Sequence, residues 1–258
     1  PYNWQVIGEL VDLQNATVED VKEFYDKFYG PNNATLVLAG DFENEEAKAL
    51  IEKYFGEIKR RQEVERLAPQ PVTLAETKRL YHEDNFAKAP QLNMVWPTIE
   101  QYTPDAYALD FLAELFSQGK KAPLYKVLTK EKEISSRAFA FNASDELAGA
   151  FRISVTANEG VDLDDVEAGI NEAFARFEKD EITDQDVERI KAGLETGFYN
   201  GISSVLGKSF QLASYNEFTG DPGFIEDDIE NIKKVTKADV LRVYDTYIKG
   251  KNYVMTSF

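Results

Sequence analysis

The chain contains no cysteine and a single histidine, His82, among 258 residues. Without thiols there are no disulfides and no thiolate metal sites. A zinc site takes three or four His, Cys or carboxylate ligands, and one histidine does not supply the usual set. Basic residues are scarce as well: 29 Lys and Arg stand against 46 Asp and Glu, a formal net charge of −17. Such a surface repels phosphate backbones, so nucleic acid is excluded as the expected partner. The charge reads first as a solubility device and second as an attractor of basic peptides. No apolar run approaches the roughly 20 residues of a membrane span, so no such span is expected. Missing cysteine does not choose a compartment; the periplasm is a working guess. The sequence opens at Pro1-Tyr2-Asn3-Trp4 with no initiator Met, and we read it as a piece of a longer polypeptide. Any targeting segment is then expected upstream.

Chemical motifs are missing too. There is no G-x-G-x-x-G and no Walker sequence to cradle phosphates. A Ser-His-Asp arrangement would have to use His82, and no G-x-S-x-G turn accompanies it. His82 follows Tyr81 in a predicted strand and reads as a surface or hydrogen-bonded strand histidine. The acidic clusters Asp162/Asp164/Asp165, Asp184/Asp186 and Glu226/Asp227/Asp228 all fall at predicted helix starts, where they complement the helix dipole. No catalytic residue and no metal ligand is therefore put forward, and the substrate-binding residues stay open.

Hydrophobic residues make up 43% and aromatics 12%, which places the chain among globular proteins. Its organising feature is an internal repeat. Residues 17–37 read TVEDVKEFYDKFYGPNNATLV and residues 236–256 read TKADVLRVYDTYIKGKNYVMT. Thr17 matches Thr236, Asp20 matches Asp239, Val21 matches Val240, Tyr25 matches Tyr244 and Asp26 matches Asp245. Each copy is predicted as a Thr-capped amphipathic helix, a polar turn and a β-rich run. Tyr25 and Tyr244 are both expected in a core.

The spacing predicts further elements. Residues 1–15 read as irregular, anchored by Trp4, Val6, Ile7 and Leu10. The run Ala34–Ala39 predicts a buried strand. A helix follows with Ala47, Leu50, Ile51, Tyr54 and Phe55 on one face. Pro69 and Pro71 mark a linker. Strands are predicted at Thr77–Glu83 and Gln91–Trp96, the second stopped by Pro97. Thr103-Pro104 opens a helix. Phe139 and Phe141 alternate in one strand, and Phe151, Ile153, Val155 and Ala157 in the next, so one sheet face is expected to be buried. Thr183 caps a helix weakened by Gly197, Gly201 and Gly207, where a kink is expected. Strands grouped with long helices, rather than alternating singly with them, argue an α+β fold, a largely antiparallel sheet covered by helices on one face.

At the repeat the sequence resembles a family. TVEDVKEFYDKFYGPNNATLVLAGDF, KYFGEIKRR, GKKAPLYKVLTKEKEIS and DPGFIEDDIENIKKVTKADVLRVYDTYI look like the M16 zinc metallopeptidases (pitrilysin, insulinase and mitochondrial processing peptidase). The resemblance spans nearly the whole chain. It implies a two-layer LuxS/MPP-like metallohydrolase-type domain, with two similar domains in each half-protein. Residues 1–62 would be the tail of a preceding domain, 63–73 a linker, and 74–258 a complete non-catalytic domain. The family's H-x-x-E-H zinc motif is not in this chain and is expected upstream, so zinc is implied for the full-length protein only. The family's substrate-binding Arg and Tyr, seven positions apart, fall here on Thr129 and Ser136, so that pair is absent. The implied role is a non-catalytic domain walling a peptide-enclosing chamber. Its expected partners are an upstream catalytic domain, a second M16 half and peptide substrates. The chain alone is expected to be inactive. The alternative is a structural subunit resembling the core proteins of the respiratory bc1 complex.

Overall fold

The computed structural model describes residues 1–180 and 182–258. Among these residues, five strands form one sheet: β1 (Lys78–Tyr81), β2 (Gln91–Thr98), β3 (Ser135–Ser144), β4 (Gly149–Ala157) and β5 (Val254–Ser257). Their order is β1-β5-β2-β4-β3. Only β1 and β5 run parallel; β2 pairs antiparallel with both β5 and β4, and β3 with β4. The fold is the expected α+β architecture.

The alternation in β2 sets the two faces. Leu92, Met94 and Trp96 are buried on one side, while Gln91 and Asn93 form a polar ladder on the other. Gln91 Nε2 donates to Ser154 Oγ at 2.9 Å across to β4. In β4, Phe151, Ile153 and Val155 join the buried face. Register then decides β3, where Phe139 lies opposite Ser154 and Phe141 opposite Arg152. Both rings therefore share the outer face, with the Arg137 and Arg152 guanidiniums over them. The core residue of β3 is Ala140, so the phenylalanine alternation points the other way from a core strand.

Pro97 does not stop β2. It pairs with Ala150 of β4, and on its other side β5 reaches only as far as Val95. The missing N–H thus falls where no ladder bond is required.

Helices supply the second layer. They are α1 (Leu10–Asn15), α2 (Val18–Phe28), α3 (Asn44–Phe55), α4 (Pro104–Ser117), α5 (Leu163–Lys179), α6 (Asp184–Gly201), α7 (Val205–Phe218), α8 (Ile225–Lys234) and α9 (Lys237–Val243). A π-helical turn follows α4 at Tyr125–Glu131, and another continues α9 through Tyr244–Ile248. Thr103 caps α4 as expected, its hydroxyl accepting from Ala106 N at 3.3 Å. The glycine-weakened helix breaks outright instead of kinking. It ends at Gly201, and Ser204 opens a new helix by accepting from Gly207 N at 3.0 Å.

Two compact units result: residues 69–198 with 226–258, and residues 1–68 with 199–225. The sheet-bearing unit has the dense core. Its aromatic cluster joins Phe116 to Phe174, Phe177 and Tyr244 at centroid distances of 5.2, 4.5 and 6.1 Å. Tyr244 is 4% exposed and donates its hydroxyl to Glu178 at 2.8 Å.

The other unit carries the first repeat copy, and there the local structure is faithful. Asp20 N donates to Thr17 Oγ1 at 3.2 Å and Thr17 N to Asp20 Oδ2 at 2.8 Å. In the second copy Asp239 N and Thr236 N make the same two bonds at 3.2 and 3.0 Å. Burial is where the copies part. Val240 and Val243 are fully buried, whereas Val21 is 64% and Tyr25 51% exposed. Tyr25 is therefore not a core residue; its ring stacks on Tyr29 and lies under the Arg61 guanidinium. The predicted strand at Ala34–Ala39 is likewise neither a strand nor buried, with Leu36 and Leu38 exposed. Among the described residues every strand belongs to the other unit. Trp4, Val6, Ile7 and Leu10 are exposed and anchor nothing, and Leu10 opens the short helix α1.

Candidate functional site

The residues singled out by sequence remain scattered. His82 is exposed just after β1, its backbone N–H donating to Ser257 O at 2.9 Å. Thr129 is half-buried in the first π turn and Ser136 exposed at the start of β3. The acidic clusters sit at helix starts. Asp162 accepts from Asp164 N at 3.0 Å, and Asp186 closes a capping box with Thr183. Among the described residues no group of three or more His, Asp or Glu could hold a metal ion.

One member of those clusters reaches across to another helix. Asp228, in the first turn of α8, accepts the Tyr107 hydroxyl at 2.5 Å. That bond sits at a cavity of about 480 Å³ lined from α4, β3, α6 and α8. Asp110, one helical turn from Tyr107 on α4, faces the same space. Asn142 of β3 donates its Nδ2 to Asp110 Oδ1 at 3.0 Å, to Ser144 Oγ at 3.0 Å and to Ala106 O at 3.3 Å. Its Oδ1 is buried with no hydrogen-bond partner. Tyr102 at the rim has φ +59°, a left-handed conformation that a bulky side chain adopts only when its surroundings impose it.

The electrostatics follow from this placement. Burial pushes the Asp110 carboxyl up to about 7, and the negative charges of Glu114 and Asp228 push the same way against the Asn142 bond. Burial also raises Glu114, which Arg189 opposes. The Tyr107 phenol is driven far above its ordinary value by burial and then by its bond to Asp228. The cavity thus pairs aromatic walls with a carboxyl group poised near neutrality.

Sequence reading missed this site. Its signal was present in the run Ala-Tyr-Ala-Leu-Asp-Phe-Leu-Ala-Glu-Leu-Phe (106–116), where Asp110 and Glu114 interrupt an otherwise apolar helix. Acidic residues four apart on such a helix share a face. Asn142 and Asp228 arrive from distant segments, which no local pattern reports.

Comparison with known proteins places the chain. Residues 15–194 match the model of the peptidase M16 inactive domain. A zinc protease, PqqE, of Helicobacter pylori is 24% identical over 261 residues, covering 96% of this chain and 56% of its own length. A probable inactive metalloprotease, YmfF, of Bacillus subtilis is 24% identical over 254 residues, covering 94% and 56%. The chain therefore spans little more than half the length of these curated relatives. A crystal structure of a Helicobacter pylori protease superposes with a TM-score of 0.86 at 23% identity, over all of this chain and 62% of that one. A chain of complex III from Candida albicans gives 0.79 at 14% identity, covering 98% and 61%. Those two likenesses concern the fold. With the family model matched across most of its length, the chain belongs to the M16 peptidases as their non-catalytic, inactive-type domain.

Proposed function

We propose that this chain supports a zinc-bearing catalytic domain of the same polypeptide and helps wall a chamber in which peptides are cleaved. Residues 1–62 would complete the preceding domain, 63–73 would link the two, and 74–258 would form the supporting domain. The observation that carries the reading is the unequal burial of the repeat. The helix face that is closed over in the second copy is open in the first, at Val21, Phe24 and Tyr25. Exposed apolar faces of this kind mark interfaces. The longer length of the zinc protease relative leaves room for a domain that covers it. Zinc would be held by that domain and by nothing in this chain.

The test compares this chain with the full-length protein. The full-length protein is expected to bind zinc and to hydrolyse a quenched-fluorescent peptide, with activity lost to a chelator and restored by zinc. This chain with added zinc is expected to give no turnover. Zinc-dependent turnover by this chain alone would sink the proposal. A second reading, an assembly subunit without peptidase activity, is favoured by the likeness to the complex III chain. A full-length protein without zinc or turnover, but held in a larger assembly, would select it.

A further inference from the structure

We propose that the cavity beneath α4 is a binding site for an alkyl or aryl ammonium group, held by the Asp110 carboxylate and flanked by the rings of Tyr102, Tyr107 and Phe198. The reading is independent of the peptidase role above. Both charged residues lining the cavity, Asp110 and Asp228, are acids, and no Lys, Arg or His lines it. The donors that these two carboxylates meet, Asn142 Nδ2 at Asp110 and the Tyr107 hydroxyl at Asp228, are both neutral. The charged lining is therefore wholly acidic, the complement of an ammonium, which carries a positive charge and three donors. Aromatic rings add cation–π attraction. A volume of about 480 Å³ lies within the range of small-molecule pockets, roughly 300–1,000 Å³. The net charge of −17 further favours cations over anions at long range.

Two sources offer this chemistry: a free amine, or the lysine side chain of a peptide. Calorimetric titration of the purified chain at pH 8 distinguishes them. The probes are phenethylamine, its neutral isostere 2-phenylethanol, and Nα-acetyl-lysine methylamide. Phenethylamine is expected to bind with a submillimolar Kd, at least tenfold tighter than the alcohol. Asp110→Asn should weaken the amine at least tenfold and leave the alcohol unchanged. Gly197 lines the cavity from α6, and a Cβ built on it meets nothing within 4 Å. Gly197→Leu should fill the space and abolish amine binding while keeping or raising the melting temperature, since Leu is the better helix former. Tight binding of the lysine derivative assigns the site to peptide side chains; binding of phenethylamine alone assigns it to free amines. No saturation by 10 mM amine, equal affinity for the alcohol, or full amine affinity in Asp110→Asn would overturn the proposal.

Discussion

Tyr244→Ala is expected to lower the free energy of unfolding by about 3–5 kcal/mol, and Tyr25→Ala by less than about 1 kcal/mol. The two tyrosines occupy the same place in the repeat, so sequence alone assigns them the same cost. Structure separates them. Tyr244 touches Phe116, Phe174 and Phe177 and is 4% exposed; its removal would open a cavity amid rings and leave Glu178 without its hydroxyl partner. Close-packed interiors relax only partly around such a loss. Tyr25 is 51% exposed, and its contacts are a stacked Tyr29 ring and a surface guanidinium. Solvated contacts of that kind are worth about 0.5–1 kcal/mol. Urea denaturation measures both, followed by the fluorescence of Trp96, which is buried against Phe174 and Tyr253. Equal losses in the two variants would mean that burial does not separate the copies.

Asp110→Asn is expected to stabilise the protein, by an amount that grows with pH. The folded carboxyl titrates near 7, well above its ordinary value. An unfolded Asp titrates near 3.9. Between those values the folded state holds a proton that the unfolded state has released, so stability falls as pH rises and levels off above about 7. The variant removes this titration and keeps an oxygen that can accept from Asn142. Its advantage should therefore widen by about 2–4 kcal/mol between pH 4 and pH 8. Repulsion from Glu114 and Asp228 acts on this carboxyl only while Asp110 is present, so it is part of the difference measured. Several carboxylates are held below their ordinary range by partners: Asp186 and Asp239 by threonine caps, and Glu167 by Arg79. Their contributions fade at acid pH in both proteins alike. An advantage of the same size at every pH would show that Asp110 is ionised throughout.

What the sequence could disclose was local. Thr-x-x-Asp marks the capping boxes at Thr17, Thr183 and Thr236 because the bonds that define them span three residues. Leu-x-Met-x-Trp in β2 and Phe-x-Ile-x-Val in β4 announce a face because side chains alternate along a strand. Non-local facts were out of reach. Nothing in Val254–Ser257 says that it inserts between β1 and β2, parallel to one and antiparallel to the other. Phe139 and Phe141 alternate correctly, yet only their register against Ser154 and Arg152 shows which face they take. Helical periodicity in α2 likewise reports that a face is apolar and is silent on whether anything covers it. The cavity was hidden for the same reason, since Asp110, Asn142 and Asp228 meet only in three dimensions. Family resemblance went further than the residues themselves, because it carried the order of elements along most of the chain.

Amide hydrogen exchange tests most directly the claim that the first repeat copy is made to be covered. In this chain the amides of Val18–Phe28 should exchange quickly and those of Lys237–Val243 slowly, because only the second helix is packed in a core. In the full-length protein both helices should be protected to a similar degree. Slow exchange in both helices of this chain, or unchanged fast exchange of Val18–Phe28 in the full-length protein, would contradict the account.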